Sequence, residues 1–99
     1  MTDADLLQAL RDCYDPRLNR NIVDLRLVRS AHLTRDLDAP GSNIPGVPPR
    51  YLATLSLTAP TTDEAANAQL SAQIENRLLG LESISRVHIT LHPPLFPIL

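Results

Sequence analysis

Asp15-Pro16-Arg17-Leu18-Asn19-Arg20-Asn21-Ile22-Val23-Asp24-Leu25-Arg26-Leu27-Val28 is the stretch on which the fold turns. Pro16 fixes its own φ and pushes Asp15 out of the helical region, so a helix arriving from the N-terminal side ends here. The apolar residues from Ile22 to Val28 then read as the start of a strand. Asp24 interrupts that run, and a carboxylate buried among apolar neighbours needs hydrogen-bond partners or a proton. It is either a structural group capping local backbone N–H groups or a pocket acid beside Thr58 and Thr62.

Upstream, Thr2 is placed to cap a helix whose first turn carries Asp3 and Asp5, acids that suit the positive end of the helix dipole. Leu6, Leu7, Leu10, Cys13 and Tyr14 follow as one apolar stripe at helical spacing. Cys13 lies on it, which sets two readings side by side: a reactive thiol, or a small hydrophobe in the core.

Downstream, a first strand is predicted from about Leu25 to Thr34. Residues 36–50 hold Pro40, Gly41, Pro45, Gly46, Pro48 and Pro49 and form a long loop inside the domain. Loops of this length are functional or mobile, and the composition favours mobility; Ile44 and Val47 offer it apolar points of attachment. Tyr51 to Thr58 alternates as a strand, with Tyr51, Ala53, Leu55 and Leu57 on one face.

Thr61 and Glu64 form a capping-box pattern ahead of a second helix, which runs to about Leu79 and stops at Gly80. Ala66, Leu70, Ile74, Arg77, Leu78 and Leu81 trace its inward side. Ile84 to Leu91 is the last strand, and Pro93 ends it. The order α-β-β-α-β defines a compact single α/β (α+β) domain over residues 1–99. In it a small mixed sheet packs against two helices, with a right-handed parallel crossover in the β-α-β unit.

Composition narrows the function. A chain of 99 residues buries about two-thirds of its unfolded surface. Its aromatics are only Tyr14, Tyr51 and Phe96, so the core is aliphatic. A net charge of −2 gives no basic field for nucleic acid. All nine basic residues are Arg, which removes Schiff-base chemistry. One cysteine cannot form an intramolecular disulfide, the N-terminus lacks signal-peptide character, and no apolar run approaches the roughly 20 residues that span a bilayer. The chain is read as cytoplasmic, soluble and free of membrane partners.

His88 and His92 are four residues apart, a spacing that pairs imidazoles on a helix. On a strand it separates them by about 13 Å, too far to share a metal. His32 joins them only if the sheet register aligns. Ser30, His32, Thr54, Ser56, Thr58, His88, Thr90 and His92 together give a sheet face rich in hydroxyls and imidazoles, either solvated or a docking surface. No Ser-His-Asp spacing, phosphate loop, zinc motif or carboxylate pair is present, and three glycines exclude a dinucleotide fingerprint. No catalytic or metal-binding residue is therefore assigned, and no enzyme activity is predicted.

Three motifs carry a resemblance. Asp15, Pro16, Asn21 to Leu25, Leu27 and Val28 form the first, Thr58 and Pro60 the second, and Pro93, Pro94 and Pro97 the third. Over roughly Leu6 to Pro97 the chain resembles the small iron–sulfur assembly domain family that includes SufT and PaaD. That resemblance implies the same α/β fold and a role in cluster assembly through partner or client proteins. The alternative it implies is a diverged interaction domain of another complex, such as a multicomponent oxygenase.

The departures are informative. Family members usually carry a reactive cysteine at the N-terminus of the second helix, where this chain has Thr62-Asp63. A hydroxyl is a poor ligand for soft metals, so the isolated chain is predicted to hold no cluster. A homodimer sharing a cluster between two copies of Cys13 and histidines would need Cys13 exposed. Asn19 and Arg26 stand where glycine is common, and Leu95 where tryptophan is common; Asn19 tolerates a left-handed backbone.

Overall fold

The structure is a computed structural model that describes residues 1–15 and 18–93. Pro16 and the tail prolines Pro94 and Pro97 lie outside the described residues. The elements are α1 (Asp3–Leu10), β1 (Tyr14–Asp15), β2 (Arg20–Asn21), β3 (Val28–Arg35), β4 (Tyr51–Thr58), α2 (Glu64–Leu79) and β5 (Ile84–His92). Strands β3, β4 and β5 form a mixed sheet in that order, antiparallel between β3 and β4 and parallel between β4 and β5 across α2. The expected α-β-β-α-β order holds for this sheet. The β1–β2 hairpin, two residues a side, is an addition that the expected order lacked.

Thr2 caps α1 as expected. Its hydroxyl accepts the Asp5 N–H while the Asp5 carboxylate accepts the Thr2 N–H at 2.9 Å, which satisfies two free donors reciprocally. The helix stops at Leu10, earlier than the apolar stripe suggested. Leu6, Leu10 and Cys13 are nonetheless fully buried, while Leu7 and Tyr14 are exposed. Cys13 therefore belongs to the core.

The second helix is capped by Asp63 and not by Thr61. Asp63 accepts the Ala65 N–H through its side chain, and the Thr61 hydroxyl, two residues earlier, accepts the Asp63 N–H. Leu70, Ile74 and Leu78 are its buried positions, at the i, i+4 spacing of one face. Gly80 is the C-cap with φ −71°, a right-handed conformation open to any residue. Arg77, placed inward by its spacing, reaches sideways to Asp12 with both Nε and Nη2, and so ties α2 to the end of α1.

The largest difference from expectation is in the opening motif. Residues 22–27 are a closed turn, and strand β3 begins only at Val28. The Asn21 side chain accepts the Asp24 N–H and donates to the Asp24 carboxylate. The Leu27 N–H reaches back to the Ile22 carbonyl and the Arg26 N–H to the Val23 carbonyl. This nested pair is the Schellman pattern that closes a helical turn, with Arg26 at its left-handed position. Arg26 has φ 59° and Asn19 has φ 53°. β-Branched Ile22 and Val23 favour extended backbone, but the polar side chains flanking them close the turn first.

Residues 36–50 carry their own order. Successive i to i+3 backbone bonds join Asp36 to Ala39, Ala39 to Ser42, Gly41 to Ile44 and Ile44 to Val47. The loop is anchored at both ends. Asp36 accepts from the Ser85 hydroxyl, from two nitrogens of Arg86 and from the Asp38 N–H. Arg50 donates to the carbonyls of Glu82 and Ile84.

The left-handed arginine gives a test. A side chain at φ near +60° costs about 1–2 kcal/mol relative to glycine, and Arg26 is exposed. Arg26→Gly should raise the urea midpoint by an amount equivalent to about 1 kcal/mol, while Arg26→Ala, which keeps the Cβ, should gain little. Equal effects of the two substitutions would show that the gain comes from elsewhere.

Candidate functional site

Strand β4 leaves the sheet at Thr58, whose N–H donates to the Leu27 carbonyl of the opening turn, and Ala59 donates to the His92 carbonyl at the end of β5. Pro60 then turns the chain toward α2. Between this turn, the first turns of the helix and the end of β5 lies a cleft of about 310 Å³, lined by Ala59, Thr61, Thr62, Asn67, Leu91, His92 and Pro93. The Asn67 amide nitrogen donates to the Thr61 carbonyl and holds the turn against the helix. Its Oδ1 is buried without a partner.

Of the three expected pocket residues, only Thr62 lines this cleft. Thr58 faces the open side of the sheet, beside His92 in the register. Asp24 is not buried: its side chain is 47% exposed and pairs with Arg11 at 3.0 Å, as well as with Asn21. Both expected roles, a pocket acid and a cap on local backbone N–H groups, give way to one in which its carboxylate accepts only from side chains, the Arg11 guanidinium and the Asn21 amide. The buried carboxylates are Asp15 and Asp36 instead. The Ser85 hydroxyl, with the Arg86 guanidinium beside it, holds the Asp36 carboxyl below the ordinary carboxylate range.

The histidines fall where the alternation put them. His32 and Thr54 are partners between β3 and β4, and Thr54 and His88 between β4 and β5, so the two imidazoles share one row across the sheet. Two strand spacings put their Cα atoms about 9.6 Å apart. Among the described residues no three His, Cys, Asp or Glu side chains gather as a ligand set. His32 lies 3.6 Å from Asp3 in an exposed pair, which contributes little. His92 is more engaged: its Nε2 is 2.7 Å from the Ser56 hydroxyl, and the residue also borders the cleft. This contact links cleft and open face, and the register pairing of Ser56 with Thr90 gave no hint of it.

Cys13 stands apart from both. It is fully buried, and desolvation pushes its thiol up to about 11, with nearby Arg77 opposing and Asp12 adding to the shift. A cluster bridged by two copies of Cys13 is incompatible with this position. The sequence reading also missed Gln73, whose side-chain amide accepts the Tyr14 N–H and donates to the Tyr14 carbonyl, pairing α2 with the β1 backbone.

No protein-family model and no curated protein matches the chain. Among solved structures it is similar to the solution structure of Rv1466 from Mycobacterium tuberculosis, described as a protein associated with Fe-S complex assembly and repair. The identity is 26%, over 95% of this chain and 71% of that one, with a TM-score of 0.48. A TM-score below one half gives this likeness no weight for fold or function.

Thr62 is exposed on the cleft, one residue before the cap of α2. In Thr62→Cys the helix dipole favours a thiolate, while Asp63 and Glu64 oppose it. The introduced thiol should therefore titrate near the ordinary range and be alkylated at pH 8 at least about tenfold faster than Cys13. Rates measured across pH on the variant and on wild type decide this; equal rates would mean that the cleft is closed to reagent.

Proposed function

We propose that this chain is a non-catalytic accessory factor for iron–sulfur cluster assembly or metalloprotein maturation, acting through contacts with protein partners. The observation that carries the reading is the opening turn. Asn19 and Arg26 stand where the SufT and PaaD family commonly has glycine, and both keep the left-handed backbone that glycine serves there. The chain thus retains the backbone shape that the family motif implies while changing the residues. Asn21 and Asp24, two further motif residues, supply the side-chain bonds that close it.

The cleft residues do not fit a cluster. Thr62 offers a hydroxyl where the family offers a thiolate, and Cys13 is enclosed in the core. In this reading the cluster is cargo held by a partner. The chain contributes surface: the open face of the sheet, with His32, Thr54, His88 and Thr90 exposed, and the adjoining cleft. A second reading, a scaffold domain in a complex such as a multicomponent oxygenase, is favoured by the same threonine, because loss of the thiol costs a scaffold nothing.

Complementation separates the two. In a strain lacking the chain, activity of iron–sulfur enzymes should fall and be restored equally by wild type and by Cys13→Ala, since no step uses the thiol. Unchanged iron–sulfur enzyme activity, with loss of an oxygenase activity instead, would replace the first reading by the second.

A further inference from the structure

The two edges of the main sheet are treated differently. On the β3 edge the pairing is broken by a bulge between Val28 and Ser30, the strand carries Arg29 and Arg35, and the Leu33 N–H is taken by the Asp3 carboxylate at 3.0 Å. These are devices that prevent a further strand from adding. The β5 edge is bulged only at its start, between Ile84 and Arg86, and its one arginine, Arg86, is held by Asp36. From Arg86 to His92 its register with β4 runs without a break and contains no proline, lysine or acid.

In a parallel pair alternate residues turn both backbone groups to the same side. The Ala59 N–H bonds the His92 carbonyl, and the register pairs Thr58 with His92, so Arg86, His88, Thr90 and His92 turn theirs toward β4. Val87, Ile89 and Leu91 turn theirs outward. The side chains of the same three residues pack against the core and stay only partly buried, whereas Ala53, Leu55 and Leu57 on the neighbouring strand are at most 1% exposed. Among the described residues, one edge therefore presents backbone groups without a partner and incompletely covered apolar side chains on the same residues.

We propose that β5 pairs antiparallel with β5 of a second copy of this chain, about a two-fold axis at Ile89, to make one continuous six-stranded sheet. The edge is self-complementary in that register. Ile89 exchanges backbone hydrogen bonds with its own mate, and Val87 exchanges them with Leu91 of the other copy, twice. Every outward backbone group of the three residues is then used, and each apolar side chain lies beside another. On the open face His88 stands opposite Thr90 of the mate and Arg86 opposite His92, so no arginine faces an arginine. An unrelated extended peptide would satisfy the backbone but has no reason to match the apolar row. A strand-only contact falls below the roughly 1,200 Å² of a standard interface, so the association is weak and depends on concentration.

His88 and Thr90 are exposed, and their substitution leaves the core untouched. Across the axis they form a non-hydrogen-bonded pair with Cα atoms about 4.5 Å apart, within disulfide range. His88→Cys and Thr90→Cys, each oxidised alone at high protein concentration, should remain uncrosslinked, and an equimolar mixture should give a covalent heterodimer. Sedimentation of wild type should show the mass rising toward twofold as concentration increases. A mass that stays monomeric at every concentration overturns the proposal. So does a dimer whose mixed cysteine variants fail to crosslink, since its interface then lies elsewhere.

Discussion

Both helices pack on one face of a three-stranded sheet, and everything else about the molecule depends on that. Leu6 and Leu10 from α1 and Leu70, Ile74 and Leu78 from α2 meet Ala53, Leu55 and Leu57 of the central strand and Ile84 of β5 in one apolar cluster. Removing a buried leucine from such a core costs about 2–5 kcal/mol, a large part of the roughly 5–15 kcal/mol that stabilises a domain. The helices therefore cannot be shared between the two faces. The opposite face is left with hydroxyls and imidazoles, the edge strands are only half covered, and the chain's single thiol is enclosed where burial keeps it protonated.

Polar side chains fix what the core leaves loose. Arg77 on Asp12 holds the two helices together, Gln73 fastens the hairpin to α2, and Asp36 with Ser85 and Arg86 pins the exit of β3 to the entrance of β5. Each tie joins segments far apart in the chain. The long proline- and glycine-containing loop can therefore leave the sheet and return without disturbing its register.

Much of the fold was legible because its signals are periodic. Strand β4 spans the alternating residues Tyr51 to Thr58 with Ala53, Leu55 and Leu57 inward, and α2 buries Leu70, Ile74 and Leu78. What escaped is decided by single polar side chains. Asp24 looked buried because its neighbours in sequence are apolar, but the turn closed by Asn21 faces it to solvent and Arg11. Asp36 opens the loop of residues 36–50, and its burial depends on Ser85 and Arg86, about fifty residues away. The candidate site shows the same division: the histidine face follows from alternation, whereas the cleft of Thr61, Thr62, Asn67 and His92 follows from where β4 and β5 end relative to α2.

The central proposal is that this chain serves cluster assembly without holding a cluster: the helix N-terminus offers the hydroxyl of Thr62, and the chain's single thiol is buried. Iron and acid-labile sulfide analysis of the chain purified without oxygen tests this most directly. The account predicts iron and sulfide far below one equivalent per chain, unchanged in Cys13→Ala. A stoichiometric cluster that survives gel filtration would contradict it.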